Sequence, residues 1–136
     1  MPSAASGSFS PLPTGEARAV LPERVDRADA VFNAARVAAL VQILHTREWP
    51  RLDLALDDRL HQPYRLPLYP WAQAVMSAAR EAGAYASAVA GAGPSVFALC
   101  ERKLGEDVAL AMEEAGPEPG YGLVTKVTRH GLDYHG

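Results

Sequence analysis

Apolar side chains recur at helical spacing through the first half of the chain and alternate with small or polar ones in parts of the second half. The longest helical pattern is Ala30, Val31, Ala34, Val37, Ala38, Val41 and Leu44, the period of an amphipathic helix with one buried stripe. Asp26 stands where a cap belongs and Asp29 falls in the first turn. Asp29, Asn33 and Arg36 lie at i, i+4 and i+7, so they share one face. That row is either an ordinary solvated stripe or a polar row facing a cleft. Leu52, Leu56 and Leu60 predict a short helix over 53–60. Pro70 at a first helical position and Gly83 at a stop frame another helix, with Trp71, Val75, Ala78 and Ala82 buried. A third pattern runs over 104–115, with Leu104, Val108, Ala111, Met112 and Ala115 inward and Gly116 as its stop. A shorter helix starts at Thr14, its expected cap, and stops at Pro22.

Strands are predicted over 85–90, 96–100 and 121–128, where alternation and β-branched residues concentrate. His130-Gly131 turns the chain toward a short edge strand over 132–135. Residues 1–13 are rich in Ser, Pro, Ala and Gly, show no periodic apolar face, and are expected to be a disordered or extended leader. The remaining 14–136 reads as one domain. The order, helices and then β-β-α-β, predicts an α+β fold: an antiparallel sheet with helices on one face, like a split βαββαβ sheet with its first strand missing or replaced by the leader. A missing strand would leave an unpaired edge, and such edges recruit other chains.

Composition narrows the partners. The chain has 136 residues and a formal net charge of −3. No basic run is present, which argues against nucleic acid. No apolar run is long enough to span a membrane, and no cationic segment followed by an apolar one marks a signal peptide. Cys100 is the only cysteine, which fits a reducing, cytoplasmic setting and a place in the core. His45, His61, His130 and His135 lack metal-ligand spacing. Asp57-Asp58 and Glu113-Glu114 are adjacent pairs that would not face each other on helices, so they read as solvated charges. Ser95 has no identifiable base in sequence.

Two segments carry candidate chemistry. Ala90-Gly91-Ala92-Gly93-Pro94-Ser95 joins two predicted strands. It is either a plain hairpin turn or a loop that aims several N–H groups at an anion. His61-Gln62-Pro63-Tyr64-Arg65-Leu66-Pro67 is expected to be extended, because its two prolines oppose a helix. Its arginine could clamp a carboxylate through two parallel hydrogen bonds.

Four segments agree in type and order with a known family: Glu16 to Pro22, Asp29 to Arg36, His61 to Arg65, and Gly91 to Ser95. Together they resemble the C-terminal half of the homoserine branch of the GHMP small-molecule kinases, over roughly 14–136. The resemblance implies transfer of the ATP γ-phosphate to the side-chain hydroxyl of L-homoserine, a step toward threonine. It implies substrate binding by Arg65, Arg36, Asn33 and His61, with the two arginines on the carboxylate. It places the loop Gly91, Ala92, Gly93, Pro94 and Ser95 beside the active site. Homodimers are common among the family's C-terminal domains.

Two departures bear on activity. Ala90 stands where this class of loop usually has Ser or Thr. The family's Gly-Leu-Gly-Ser-Ser-type nucleotide loop and Mg²⁺ carboxylate belong to its N-terminal half, and nothing in this sequence matches them. ATP and Mg²⁺ are therefore expected to have their main sites outside this chain, with none bound by it alone. No catalytic residue is assigned within it, and the chain is expected to be inactive without an N-terminal half. The alternative is a non-catalytic ligand-binding or dimerisation module derived from such a kinase.

Overall fold

The structure, a computed structural model, describes residues 2–8 and 13–127. Its elements are β1 (Ser3–Ser8), α1 (Thr14–Ala19), α2 (Arg27–Thr46), α3 (Leu52–Ala55), α4 (Gln62–Arg65), α5 (Ala72–Glu81), β2 (Ala86–Val89), β3 (Val96–Cys100), α6 (Gly105–Ala115) and β4 (Tyr121–Lys126). The four strands form one antiparallel sheet in the order β2-β3-β1-β4. The α+β class and the antiparallel sheet are as the sequence predicts. The expected strand and turn over 130–135 lie outside the described residues.

The missing first strand is a correction. Ser3–Ser8, within the expected leader, forms β1 between β3 and β4, with Ala5 opposite Ala98 on one side and Val124 on the other. The full βαββαβ order is present, and the argument for association through a vacant edge lapses. α6 packs closely over β1 and β4. A Cβ on Gly105 would come 2.9 Å from a Val124 methyl and 3.7 Å from the Ser3 Cβ, and one on Gly122 would come 2.7 Å from the Ala109 carbonyl oxygen. Large side chains at this seam would force the helix off the sheet.

Alternation along the strands separates two faces. Ala5, Val89, Val96, Ala98 and Cys100 meet Ala72, Val75, Ala79, Val108 and Met112 of α5 and α6 in the main core. Gly83, at φ +99°, follows α5 as its expected stop. The inward stripe of α5 is Ala72, Val75, Met76 and Ala79, turned from the one expected. On the opposite face Ala86 and Leu99 meet Ile43 of α2 and Leu52 and Ala55 of α3 in a smaller cluster.

The face assigned to α2 is also corrected. Only Ile43 of its twenty residues is buried, whereas Val31, Val37 and Val41 are more than 60% exposed and Leu44 is exposed as well. The helix carries apolar residues around most of its circumference, so periodicity alone could not choose the inward side. The predicted helix over 53–60 stops at Ala55. The segment after His61 is helical, not extended: Pro63 and Pro67 sit in the first turns of α4 and of a short 3₁₀ turn, Leu66–Leu68, where a missing N–H costs nothing.

Candidate functional site

The two segments singled out for chemistry meet in one cleft. It has a volume of about 350 Å³ and is lined by Asp58, His61, Gln62, Arg65 and Gly91, with Leu56, Ala88, Val89 and Phe97 as its apolar part. A larger cavity, about 660 Å³, lies at the turn between α6 and β4 among Glu113, Glu114 and Glu118. It contains none of the predicted residues.

Arg65 joins three elements. It is 9% exposed at the end of α4. Its Nε donates to the Ala17 carbonyl of α1 at 3.2 Å, and its Nη1 donates to the Gly91 carbonyl at 2.6 Å. A guanidinium has five N–H donors, so these two bonds orient it at the cleft without exhausting it. The glycine loop is tied down a second time. The Tyr69 hydroxyl donates to the Ala92 carbonyl at 3.0 Å, and a Cβ on Gly93, at φ +83°, would run into the Tyr69 ring. Within the loop, Ala90 N–H bonds the Ser95 carbonyl and Gly93 N–H bonds the Ala90 carbonyl. These contacts close it as a tight hairpin turn. Pro94 and Ser95 lead into β3, partly buried.

The polar row of α2 packs on the loop before α4. Asn33 donates to Asp58 Oδ1 at 2.5 Å and accepts from the Arg59 N–H at 2.9 Å. Arg59 also reaches Asp29 at 3.3 Å. The guanidinium carbons of Arg36 and Arg59 lie 4.2 Å and 3.8 Å from the centre of the Phe32 ring, within cation–π range. Arg36 does not line the cleft. Its Nε is buried without a hydrogen-bond partner among the described residues.

Asp58 is a further correction, since it is no solvated charge. Its carboxylate accepts the N–H groups of His61 at 2.7 Å, Gln62 at 2.5 Å and Leu60 at 3.2 Å, besides the Asn33 amide. Partial burial pushes its carboxyl up, but the bonds from Gln62, Asn33, His61 and Leu60 together outweigh burial and hold it below the usual carboxylate range. Gln62, part of the same segment, serves as a tie: its amide donates to the Leu56 carbonyl and accepts the Val89 N–H, linking α4 to the end of β2. A readable signal existed, an acidic residue just ahead of a proline-started helical turn.

The cleft does not fit Mg²⁺. Its one carboxylate is occupied by four donors, and no group of three His, Cys, Asp or Glu among the described residues is placed to hold a metal. Nor is any described helix long and apolar enough to cross a membrane.

Residues 37–118 match the family model described as GHMP kinases C terminal. The chain belongs to the GHMP kinase family. It is 45% identical over 125 residues to a homoserine kinase of Trichormus variabilis, covering 92% of this chain and 41% of that protein. It is 50% identical over 106 residues to one from Gloeobacter violaceus, covering 78% and 36%. The crystal structure of homoserine kinase from Cytophaga hutchinsonii is similar, with a TM-score of 0.84 and 26% identity over 93% of this chain and 42% of that one. The chain thus spans about two fifths of the length of the curated relatives it matches.

Proposed function

We propose that this chain forms the substrate side of an ATP-dependent homoserine kinase acting in the cytoplasm. The observation that carries the reading is the meeting of Arg65, His61 and Gly91, the first residue of the glycine loop, in one cleft, in a chain 45% identical to a homoserine kinase. L-Homoserine brings a carboxylate, an ammonium and a hydroxyl. Arg65 is oriented by two backbone carbonyls toward the cleft and is the ligand for the carboxylate. Arg36, which the resemblance also puts on the carboxylate, lies over the Phe32 ring outside the cleft, so Arg65 alone is assigned that contact here. His61 borders the same space, and Gly91 lines it beside Arg65. ATP and Mg²⁺ belong to an N-terminal kinase half corresponding to the portion of the relatives that this chain does not span. The exposed apolar side of α2, around Val31, Val37 and Val41, is a surface suited to that half.

The reading is tested by titrating the chain with L-homoserine and following amide resonances. Binding should perturb Arg65 and the glycine loop. Arg65→Ala should weaken it about thirtyfold, the equivalent of about 2 kcal/mol for a lost charge-assisted hydrogen bond. Unchanged affinity in that variant would refute the assignment.

A further inference from the structure

Asp58 stands between the two groups of residues that the proposed function uses. A carboxylate has about four acceptor positions, two on each oxygen. In Asp58 all four are taken. Oδ1 receives the Asn33 amide and the Leu60 N–H, and Oδ2 receives the N–H groups of His61 and Gln62. Three of these donors come from the backbone at the entrance to α4, the four-residue helix that ends in Arg65. The fourth comes from α2. Asn33 is equally committed, since its Oδ1 accepts the Arg59 N–H.

A ligand ammonium needs an acceptor with lone pairs to spare. Asp58 faces the cleft as its one carboxylate yet has none left. We propose that Asp58 is a positioning residue: it locks α4, and with it Arg65 and His61, against α2, and does not itself bind the ammonium of the amino-acid substrate. The same geometry makes Asn33 a support acting through Asp58. A helix of four residues cannot hold its own place, because its first N–H groups have no partners within it. Asp58 supplies those partners, and Gln62 pins the other side through Val89 and Leu56.

This inference rests on the proposal that the cleft holds homoserine by its carboxylate. The test compares two ligands on the same chain, L-homoserine and 4-hydroxybutyrate, which keeps the carboxylate and hydroxyl but lacks the ammonium. Asp58→Asn should weaken both by a similar factor, about tenfold each, as Arg65 loses its fixed position. It should also speed hydrogen exchange at the His61 and Gln62 amides and at the Arg65 Nε–H. Asp58→Ser, whose shorter hydroxyl cannot reach both α2 and the helix entrance, should weaken binding of both compounds at least as much, and an unchanged circular-dichroism spectrum shows that each variant still folds. Loss of homoserine affinity with 4-hydroxybutyrate unaffected would overturn the proposal and make Asp58 an ammonium ligand. Unchanged exchange at His61, Gln62 and Arg65 would overturn it as well. If the wild-type chain binds neither compound, the homoserine reading fails, and the exchange rates still decide whether Asp58 anchors α4.

Discussion

The glycine loop holds two glycines that differ in what an added Cβ would meet. Gly91 and Gly93 both have positive φ, +58° and +83°. A Cβ on Gly91 meets nothing within 4 Å, whereas one on Gly93 meets the buried Tyr69 ring. Gly91→Ala should therefore cost only the left-handed backbone penalty, about 1 kcal/mol. Gly93→Ala adds overpacking against a side chain in the main core, about 1–3 kcal/mol more, for a total of about 3 kcal/mol. A domain of ordinary stability survives that loss, with its melting temperature lowered by roughly 10 °C. Urea unfolding followed by circular dichroism measures both variants. Adding Tyr69→Ala removes the obstacle, so the double variant should be less destabilised than the sum of its parts by about 2 kcal/mol. Equal costs at the two glycines, or strict additivity with Tyr69→Ala, would refute the claim that the Tyr69 ring sets the loop.

Two further predictions concern stability. Because the folded carboxyl of Asp58 lies below its ordinary value, which is about 3.9, its stabilising contribution is complete above that pH and is lost as pH falls through the folded value. The stability gap between wild type and Asp58→Asn should thus be wide at neutral pH and narrow in strong acid, and a gap that does not change with pH would refute this. In this chain Val41→Ser, at an exposed position, should change stability by no more than about 0.5 kcal/mol, while Leu52→Ala, at 0% exposure, should cost about 2–5 kcal/mol. Comparable costs would mean that the outer side of α2 is covered.

The strands β2, β3 and β4 were legible because their residues are β-branched or alternate, and the stop at Gly83 because glycine alone suits its conformation. β1 was not. Its Ser, Ala and Gly residues carry no β signal of their own, and their place appears only once the strand is paired between β3 and β4 with Gly105 of α6 against Ser3. The inward side of α2 was misread for a related reason. An alanine- and valine-rich helix offers an apolar face in several directions, and only its neighbours decide which is used. The prolines at 63 and 67 were read as barriers to a helix when each sits in a first turn. At the site, Arg65, His61 and the glycine loop were visible as polar or glycine-rich segments. Asp58 left only an indirect sign, its place just ahead of a proline-started helical turn, because its role consists of bonds to the backbone at His61 and Gln62 and to a side chain 25 positions away.

The central claim, that this chain is the substrate side of a homoserine kinase, is tested most directly by homoserine-dependent ATP turnover. The chain is assayed alone and after mixing with a separately produced N-terminal portion of the Trichormus variabilis homoserine kinase, the part of that relative beyond the 41% matched here. The account predicts no turnover above background from the chain alone, and turnover in the mixture that Arg65→Ala impairs chiefly through weaker homoserine binding. Robust turnover by the chain alone would contradict the division of labour. Binding of homoserine without turnover in any mixture would favour a non-catalytic module instead.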